Sequence, residues 1–140
     1  YCGVGTIGIY LACDALKVYG IEINDEAIKN ANQNKEINNI NNIEFICGDC
    51  NKYIDTIKEK PSIIIVDPPR AGLDTKTINT ILKLLPKKIV YTSCDPMTLA
   101  RDLKILKEKY NIVEITPFDM FPNTYHVESV ALLSLKTLEK

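Results

Sequence analysis

Tyr1-Cys2-Gly3-Val4-Gly5-Thr6-Ile7-Gly8 opens the chain and carries the pattern G-x-G-x-x-G on its three glycines. Glycine permits a tight turn and a close approach of the backbone to a ligand, and this spacing is typical of a strand-to-helix loop that binds nucleotides. Alone the pattern is weak, because it also fits a NAD site or a turn without ligand. Such a loop normally follows a strand. We therefore expect the first strand to precede Tyr1 and the chain to be part of a longer protein.

Helix-like and strand-like segments alternate after this loop. The predicted helices are 7–15, 25–38, 51–58, 74–85 and 96–110, and the predicted strands are 17–23, 43–47, 62–66, 88–92, 112–119 and 127–135. This alternation implies right-handed crossovers and a parallel sheet. Only a loop at 120–126 separates the last two strands, so we expect these two to pair antiparallel. The prediction is one α/β domain over 1–140.

Three local expectations follow from residue preferences. Asp25 is expected to cap the helix that begins there, because a short acceptor side chain satisfies the first N–H groups of a helix. The apolar run Ile-Ile-Ile-Val in 62–66 is typical of a strand buried on both faces. Pro96 suits the first turn of a helix, which is expected to continue to Tyr110.

Composition limits the class of protein. The chain has 140 residues, of which 46% are hydrophobic and 25% charged, and this is typical of one globular domain. No apolar run approaches the roughly 18 residues of a membrane span, and no basic segment of a signal peptide is present. Five cysteines, an odd number, then indicate a reduced, cytoplasmic protein. The net charge of -1 gives little support for broad electrostatic binding of nucleic acid.

Acidic residues follow two successive predicted strands. Glu22 ends one strand and could accept both ribose hydroxyls, while Asp49 follows the next and could accept from an adenine amino group. Each alone is better explained as a solvated strand end or a turn former, but together they favour a nucleoside-bearing cofactor. Cys47-Gly48-Asp49-Cys50 also fits a redox or zinc motif. A metal site is disfavoured there, because the chain has no second cysteine pair and His126 is its only histidine.

Three segments are expected to meet at the carboxyl ends of the strands, where such folds bind ligands. They are Asp67-Pro68-Pro69-Arg70, Ser93-Cys94-Asp95-Pro96 and His126-Val127-Glu128-Ser129. Cys94 follows a strand and precedes a helix, and a helix N-terminus favours the thiolate form of a cysteine. An inert, buried cysteine is an equally good explanation of this position. Arg70 fits either a salt bridge at a helix end or a contact with a nucleotide phosphate or carbonyl.

The same segments resemble the RNA uracil-5-methyltransferase family, which modifies transfer and ribosomal RNA. The resemblance rests on Tyr1–Gly8, on Asp67–Arg70, on the run Ser93-Cys94-Asp95-Pro96-Met97-Thr98-Leu99-Ala100-Arg101-Asp102-Leu103, and on Asp119-Met120-Phe121-Pro122 with His126–Ser129. It covers essentially the whole chain. It implies a class I S-adenosylmethionine-dependent, Rossmann-like methyltransferase fold, with a mostly parallel sheet and an antiparallel C-terminal strand.

The resemblance also implies the site. Cys94 would be the nucleophile that adds to C6 of uracil, and Glu128 the base that removes the C5 proton. Asp67 and Arg70 would lie beside the target base. The residues that would line the S-adenosylmethionine pocket are Tyr1, Gly3, Thr6, Glu22, Asp49 and Asp67. No metal is implied. A ribosomal or transfer RNA would be the partner of a monomeric protein, bound mainly by an N-terminal region absent from this chain.

The chain departs from the family pattern at two places. Asp95 stands where the family often has Asn, and a carboxylate pointing toward Cys94 would disfavour thiolate. The loop Pro122-Asn123-Thr124-Tyr125 stands where relatives often carry His and Gly.

Three other functions are alternatives. An adenine amino-group methyltransferase would place an aromatic residue where Arg70 stands, and a NAD-dependent dehydrogenase gives no role to Cys94 and Glu128. A cofactor-binding or RNA-docking fragment without activity of its own is the third alternative.

Overall fold

A computed structural model describes residues 1–53, 57 and 59–137. The chain divides into two compact units, Tyr1–Lys58 and Glu59–Lys140. Each unit contains a pair of parallel strands, joined by a helix in between, which agrees with the predicted α/β alternation.

The first unit packs helices against a two-stranded parallel sheet. Its elements are α1 (Thr6–Leu11), a 3₁₀ turn (Ala12–Asp14), β1 (Val18–Glu22), α2 (Asp25–Ile37), β2 (Ile43–Cys47) and α3 (Cys50–Tyr53). Strands β1 and β2 pair from Val18 opposite Ile43 to Glu22 opposite Cys47. The buried apolar side chains of this unit are those of Ala12, Ile21, Ile28, Ala31 and Ile43.

The cap of α2 differs from the prediction by one residue. The side chain of Asn24, not Asp25, accepts a hydrogen bond from the backbone N–H of Ala27 at 3.2 Å. Asp25 is the first helical residue, where a negative charge is also favourable, and its carboxylate contacts Lys29 at 2.7 Å. Asn and Asp cap helices about equally well, so the sequence alone could not decide whether Asn24 or Asp25 is the cap.

The second unit is built on a four-stranded mixed sheet. Its elements are β3 (Ile63–Val66), α4 (Thr75–Leu84), β4 (Lys88–Ser93), α5 (Pro96–Leu106), β5 (Tyr110–Phe118) and β6 (Glu128–Leu135). The strand order is β3-β4-β6-β5, with β3 parallel to β4 and β6 antiparallel to both of its neighbours. The expected antiparallel pairing of the last two strands is confirmed. In addition, β6 inserts between β4 and β5.

The core of this unit lies between the sheet and helices α4 and α5. Its buried members are apolar side chains from both helices, from all four strands and from the loop before α4: Val66, Leu73, Ile78, Ile81, Ile89, Tyr91, Leu99, Leu103, Leu106, Tyr110, Ala131 and Leu133. On β4 the buried residues alternate with less buried ones, as expected for a strand with one face on the core. The core therefore fixes β4 and β6, the strands whose ends carry the candidate residues.

Two predictions for this unit are wrong in detail. Strand β3 is not buried on both faces. Ile63 is 52% exposed and Ile65 36% exposed, whereas the alternate residues Ile64 and Val66 pack in the core. Helix α5 ends at Leu106, because Tyr110 belongs to β5. Tyr110 is fully buried, and its hydroxyl donates to the backbone oxygen of Pro86 at 3.0 Å.

The short helix α3 covers only part of the predicted helix 51–58. It ends at Tyr53, and residues 54–56 and 58 lie outside the described residues.

Candidate active site

The glycine loop of the first unit is held by backbone hydrogen bonds and by close packing. Cys2 N donates to Ile21 O at 3.1 Å, and Gly5 N donates to Cys2 O at 3.0 Å. Gly5 has a left-handed φ of 84°, and a Cβ there would lie 2.5 Å from Cζ of Phe45. Only glycine fits such a position without displacing the ring. Gly3 also has a positive φ, but a Cβ there would meet nothing within 4 Å, so space is open beside the loop.

Glu22 ends β1 and is bound to this loop. Its Oε2 accepts from Gly3 N at 3.1 Å, and its Oε1 accepts from Ile23 N at 2.9 Å and Asn24 N at 3.1 Å. Partial burial alone would raise the pKa of this carboxyl, but the backbone N–H donors outweigh that effect, and the pKa is lowered from its usual value. Glu22 is therefore a carboxylate that fixes the loop and has lone pairs left for further donors.

Asp49 lies at the start of the helix after β2. Its Oδ1 accepts from Asn51 N at 2.8 Å, so it forms the turn into α3. Gly48 N donates to Glu22 O at 2.8 Å, and this bond ties the two strand ends together. The structure thus gives Asp49 a turn-forming role and also brings it next to the end of β1, as the cofactor hypothesis requires.

These residues fit a nucleoside-bearing cofactor. An ionised carboxylate and a second acid stand at adjacent strand ends, beside a glycine loop with open space at Gly3. Thr6 is exposed at the start of α1, and Tyr1 is partly exposed at the beginning of the loop.

In the second unit, Cys94 and Glu128 lie at the same end of the sheet. Ser93, the last residue of β4, pairs with Ser129 of β6 in antiparallel register. Cys94 follows Ser93 and Glu128 precedes Ser129, so both are chain neighbours of the last pair of this ladder. The β4–β6 ladder itself ends at Ser93–Ser129, and Cys94 lies in the bend that follows β4. Both residues are partly buried.

The turn that carries Cys94 is fixed on both sides. The hydroxyl of Ser93, a buried residue, donates to Asp95 O at 3.0 Å and accepts from Asp95 N at 3.2 Å. The Asp95 side chain caps α5 by accepting from Met97 N at 2.8 Å and Thr98 N at 3.2 Å. The carboxylate that departs from the family pattern is thus directed at the start of the helix.

Arg70 lies where two of the three segments meet. Its Nη2 contacts both ring nitrogens of His126, at 2.8 Å from Nε2 and closer to Nδ1. Its backbone oxygen accepts from the hydroxyl of Thr98, in α5, at 3.0 Å. Arg70 thus joins two of the three segments through His126, and Thr98 contacts it from the helix that begins at Pro96. Arginine only donates hydrogen bonds, so the histidine nitrogen it binds must accept.

Asp67 follows β3 directly. The residue as a whole is exposed at the surface, yet neighbouring atoms desolvate its carboxyl group enough to raise its pKa from the usual value. Its side chain therefore lies where a bound group could take the place of water.

A buried network that the sequence analysis did not identify supports the loop after Arg70. The carboxylate of Asp102 is fully buried, and its Oδ2 accepts from Leu73 N at 2.8 Å and from the hydroxyl of Tyr91 at 2.7 Å. Its Oδ1 accepts from Arg101 Nε at 2.8 Å, and Arg101 Nη2 donates to Ala71 O at 2.8 Å. Burial and the bond to Asp102 raise the pKa of Tyr91. Only the run Ala100-Arg101-Asp102 within the quoted motif could have signalled this network.

No metal site is found in the part of the chain that the structure describes, where His, Cys, Asp and Glu form no group of three or more suited to an ion. Cys47 and Cys50 are not joined by a disulfide. Across the described residues, every helix is too short or too polar to span a bilayer.

Comparisons with known proteins identify the family of this chain. The family described as tRNA (Uracil-5-)-methyltransferase matches residues 1–136. An uncharacterized RNA methyltransferase of Staphylococcus aureus is 52% identical over 139 residues, which cover 97% of this chain and 31% of that protein. The chain thus spans about a third of the length of such relatives.

Solved structures agree on the fold. The crystal structure of Pyrococcus abyssi tRNA (uracil-54, C5)-methyltransferase in complex with S-adenosyl-L-homocysteine has a TM-score of 0.81 and 45% identity, over 95% of this chain and 32% of that one. An rRNA methylase of Streptococcus thermophilus has a TM-score of 0.76 at 15% identity, over 98% and 84%. The fold is that of class I S-adenosylmethionine-dependent methyltransferases, and the chain belongs to the tRNA (uracil-5-)-methyltransferase family.

Proposed function

We propose that this chain is the catalytic part of an RNA methyltransferase that transfers a methyl group from S-adenosylmethionine to C5 of a uridine in transfer or ribosomal RNA. The observation that carries the proposal is the register of β4 and β6. The Ser93–Ser129 pair supports a site in which a sulfur and a carboxylate, distant in sequence, act on one pyrimidine ring.

Cys94 is the proposed nucleophile. Carbon C5 of uracil is too weakly nucleophilic to be methylated unaided. Addition of the Cys94 thiolate to C6 breaks the conjugation of the ring and moves electron density to C5, so that one difficult step becomes two easier ones. The Ser93 hydroxyl, bound to both backbone groups of Asp95, holds the turn on which this sulfur stands.

Glu128 is the proposed base. After methylation, C5 carries both the new methyl group and its original proton. The Glu128 carboxylate takes this proton, the electrons of the C5–H bond re-form the C5–C6 double bond, and the C6–S bond breaks to release Cys94 as a thiolate. A carboxylate next to the last pair of the ladder that Cys94 also adjoins is suited to this sequence of steps.

Arg70 and Asp67 are proposed to hold the target base. Arg70 donates hydrogen bonds, and uracil offers carbonyl oxygens that accept them. Asp67, with its raised pKa, lies in partly desolvated surroundings that suit contact with a base. The target uridine must leave its stack to enter such a site.

The cofactor would be held by Tyr1, Gly3, Thr6, Glu22, Asp49 and Asp67. When bound, S-adenosylmethionine supplies a methyl group on a sulfonium centre. Glu22 is ionised and has acceptor capacity for ribose hydroxyls, while the loop at Gly3 leaves room for the ligand. We further propose a monomeric, cytoplasmic protein, whose other regions bind most of the RNA backbone.

The alternatives are less well supported. An amino-group methyltransferase or a dehydrogenase has no use for a cysteine and a carboxylate beside the last pair of one ladder. An inactive cofactor-binding fragment is the expected behaviour of the 140 residues alone, since they span about a third of the relatives' length. We expect these residues by themselves to release little or no tritium from C5-labelled uridine in RNA.

The test is made in the complete protein that carries these residues. RNA with tritium at C5 of uridine reports turnover as released tritium, and denaturing gels report the covalent protein–RNA adduct. Cys94→Ala should abolish both adduct and release, whereas Glu128→Gln should block release and accumulate adduct. The matched controls, Cys13→Ala and Glu114→Gln, change exposed residues of the same types and should behave as wild type. Adduct formation by Cys94→Ala would refute the assignment.

A further inference from the structure

Three rings form a small exposed cluster between β5 and β6, on a segment that we call the aromatic loop (residues 121–126). Phe121 and His126 lie edge to face with ring centres 6.3 Å apart, and Tyr125 is tilted against His126 at 4.2 Å. Tyr125 is 85% exposed and Phe121 48% exposed. Aromatic rings grouped at the surface in this way offer faces on which a partner can stack.

Polar groups, not burial of the rings, stabilise the aromatic loop. Thr124 N and the Thr124 hydroxyl both donate to Phe121 O, at 3.2 and 2.8 Å, and His126 N donates to the same hydroxyl at 3.2 Å. Asn123 takes the left-handed conformation with a φ of 66°, for which Asn is well suited. The loop is therefore organised before any partner binds, so binding of a partner would cost little conformational entropy in the loop.

The cluster is continuous with the proposed base site. His126 is contacted by Arg70, and it precedes the proposed base Glu128 by two residues. Tyr125 is in ring contact with His126, so an exposed aromatic ring lies next to the residues that would hold the target uridine.

We propose that Tyr125, with Phe121 beside it, stacks on an RNA base that neighbours the target uridine. The inference rests on the proposed function, because it assumes an RNA substrate at Arg70 and Glu128. Stacking on aromatic side chains is a general way to bind single-stranded RNA, and it requires no excess of positive charge. That agrees with a chain of net charge -1. Taking a uridine out of its stack also leaves its neighbours with exposed faces, which an aromatic ring can cover.

The first measurement follows stacking directly, in the complete protein. Short single-stranded RNAs with one uridine carry the fluorescent base 2-aminopurine on its 5′ or its 3′ side. Stacking quenches 2-aminopurine, so binding to wild type should quench at least one of the two RNAs. The quenching should be lost in Tyr125→Ala and kept in Tyr125→Phe. Tyr10→Ala removes a tyrosine that is similarly exposed, in the other unit, and should leave the quenching unchanged.

The second measurement separates binding from chemistry. One partly solvated stack is expected to raise KM for RNA about five- to tenfold in Tyr125→Ala, with kcat unchanged and the Tyr125→Phe variant near wild type. An active wild-type enzyme that quenches neither RNA, or whose KM is unaffected by Tyr125→Ala, overturns the inference and leaves the uridine methylation intact. An equal loss in Tyr125→Ala and Tyr125→Phe also overturns it, because the hydroxyl and not the ring would then matter. A wild type without any tritium release contradicts the proposed function itself.

Discussion

The hydrogen bond between Tyr91 and Asp102 should be detectable as a coupling energy. Both side chains are fully buried, and the bond is 2.7 Å long. In Tyr91→Phe the carboxylate keeps its bonds from Leu73 N and Arg101, so only one bond to a charged acceptor is lost. We expect a loss of about 1.5–3 kcal/mol in the free energy of unfolding.

Asp102→Ala should lower the free energy of unfolding more than Tyr91→Phe does, and it should also change the effect of Tyr91→Phe. In Asp102→Ala, two buried donors, Leu73 N and the Tyr91 hydroxyl, lose their acceptor, at about 1–3 kcal/mol each, or about 2–6 kcal/mol in total. Arg101 adds little, because its side chain is half exposed and water can replace the carboxylate. In that background Tyr91→Phe removes a hydroxyl that has lost its partner, so it should be neutral or stabilising by about 1 kcal/mol.

The four proteins of this cycle can be compared by native-state hydrogen exchange in increasing urea, read by mass spectrometry on peptides of β4 and β6. This measurement reports the unfolding of the second unit within the complete protein. If Tyr91→Phe costs the same in wild type and in Asp102→Ala, the two side chains are not coupled and the network does not hold the loop after Arg70.

Two further predictions concern carboxylates. Because the pKa of Glu22 is lowered below 4.5 by the backbone donors, the stability it contributes is present above pH 4.5 and is lost as the pH falls through the folded-state pKa. The urea midpoint of Glu22→Gln should thus lie below that of wild type at neutral pH and converge with it in acid; a constant difference contradicts this. Loss of the helix cap in Asp95→Ala should cost about 1 kcal/mol in urea unfolding, while Asp95→Asn, which can still accept, should cost a few tenths. Equal losses would show that the cap geometry is not what stabilises α5.

The order of helices and strands could be predicted because it depends on short-range patterns. Strand β2 agrees with its predicted bounds at both ends, since the apolar run at 43–47 follows an Asn-rich turn. The antiparallel pairing of the last two strands followed from a connection too short for a crossover helix. The insertion of β6 beside β4 could not be predicted, because strand order depends on contacts far apart in sequence.

The errors arose where tertiary contacts override local preference. The run Lys104–Tyr110 is rich in good helix formers, so the predicted helix continued, yet burial of Tyr110 and its bond to Pro86 draw the chain into β5. For the site, residue types and strand ends could be predicted from sequence. The contacts of Arg70 with His126 and of Asp102 with Leu73 and Tyr91 could not, because each joins residues more than ten positions apart without a periodic pattern.

The place of β6 in the sheet has a consequence for synthesis. β6 leaves the ribosome after every other strand of its unit, yet it must enter between β4 and β5. A nascent chain that has reached only residue 127 therefore presents an open edge on β4 and another on β5. Unpaired edges of this kind attract strands of other chains. Folding of this unit must wait for translation of Glu128–Leu135, and until then chaperones have a defined target to cover.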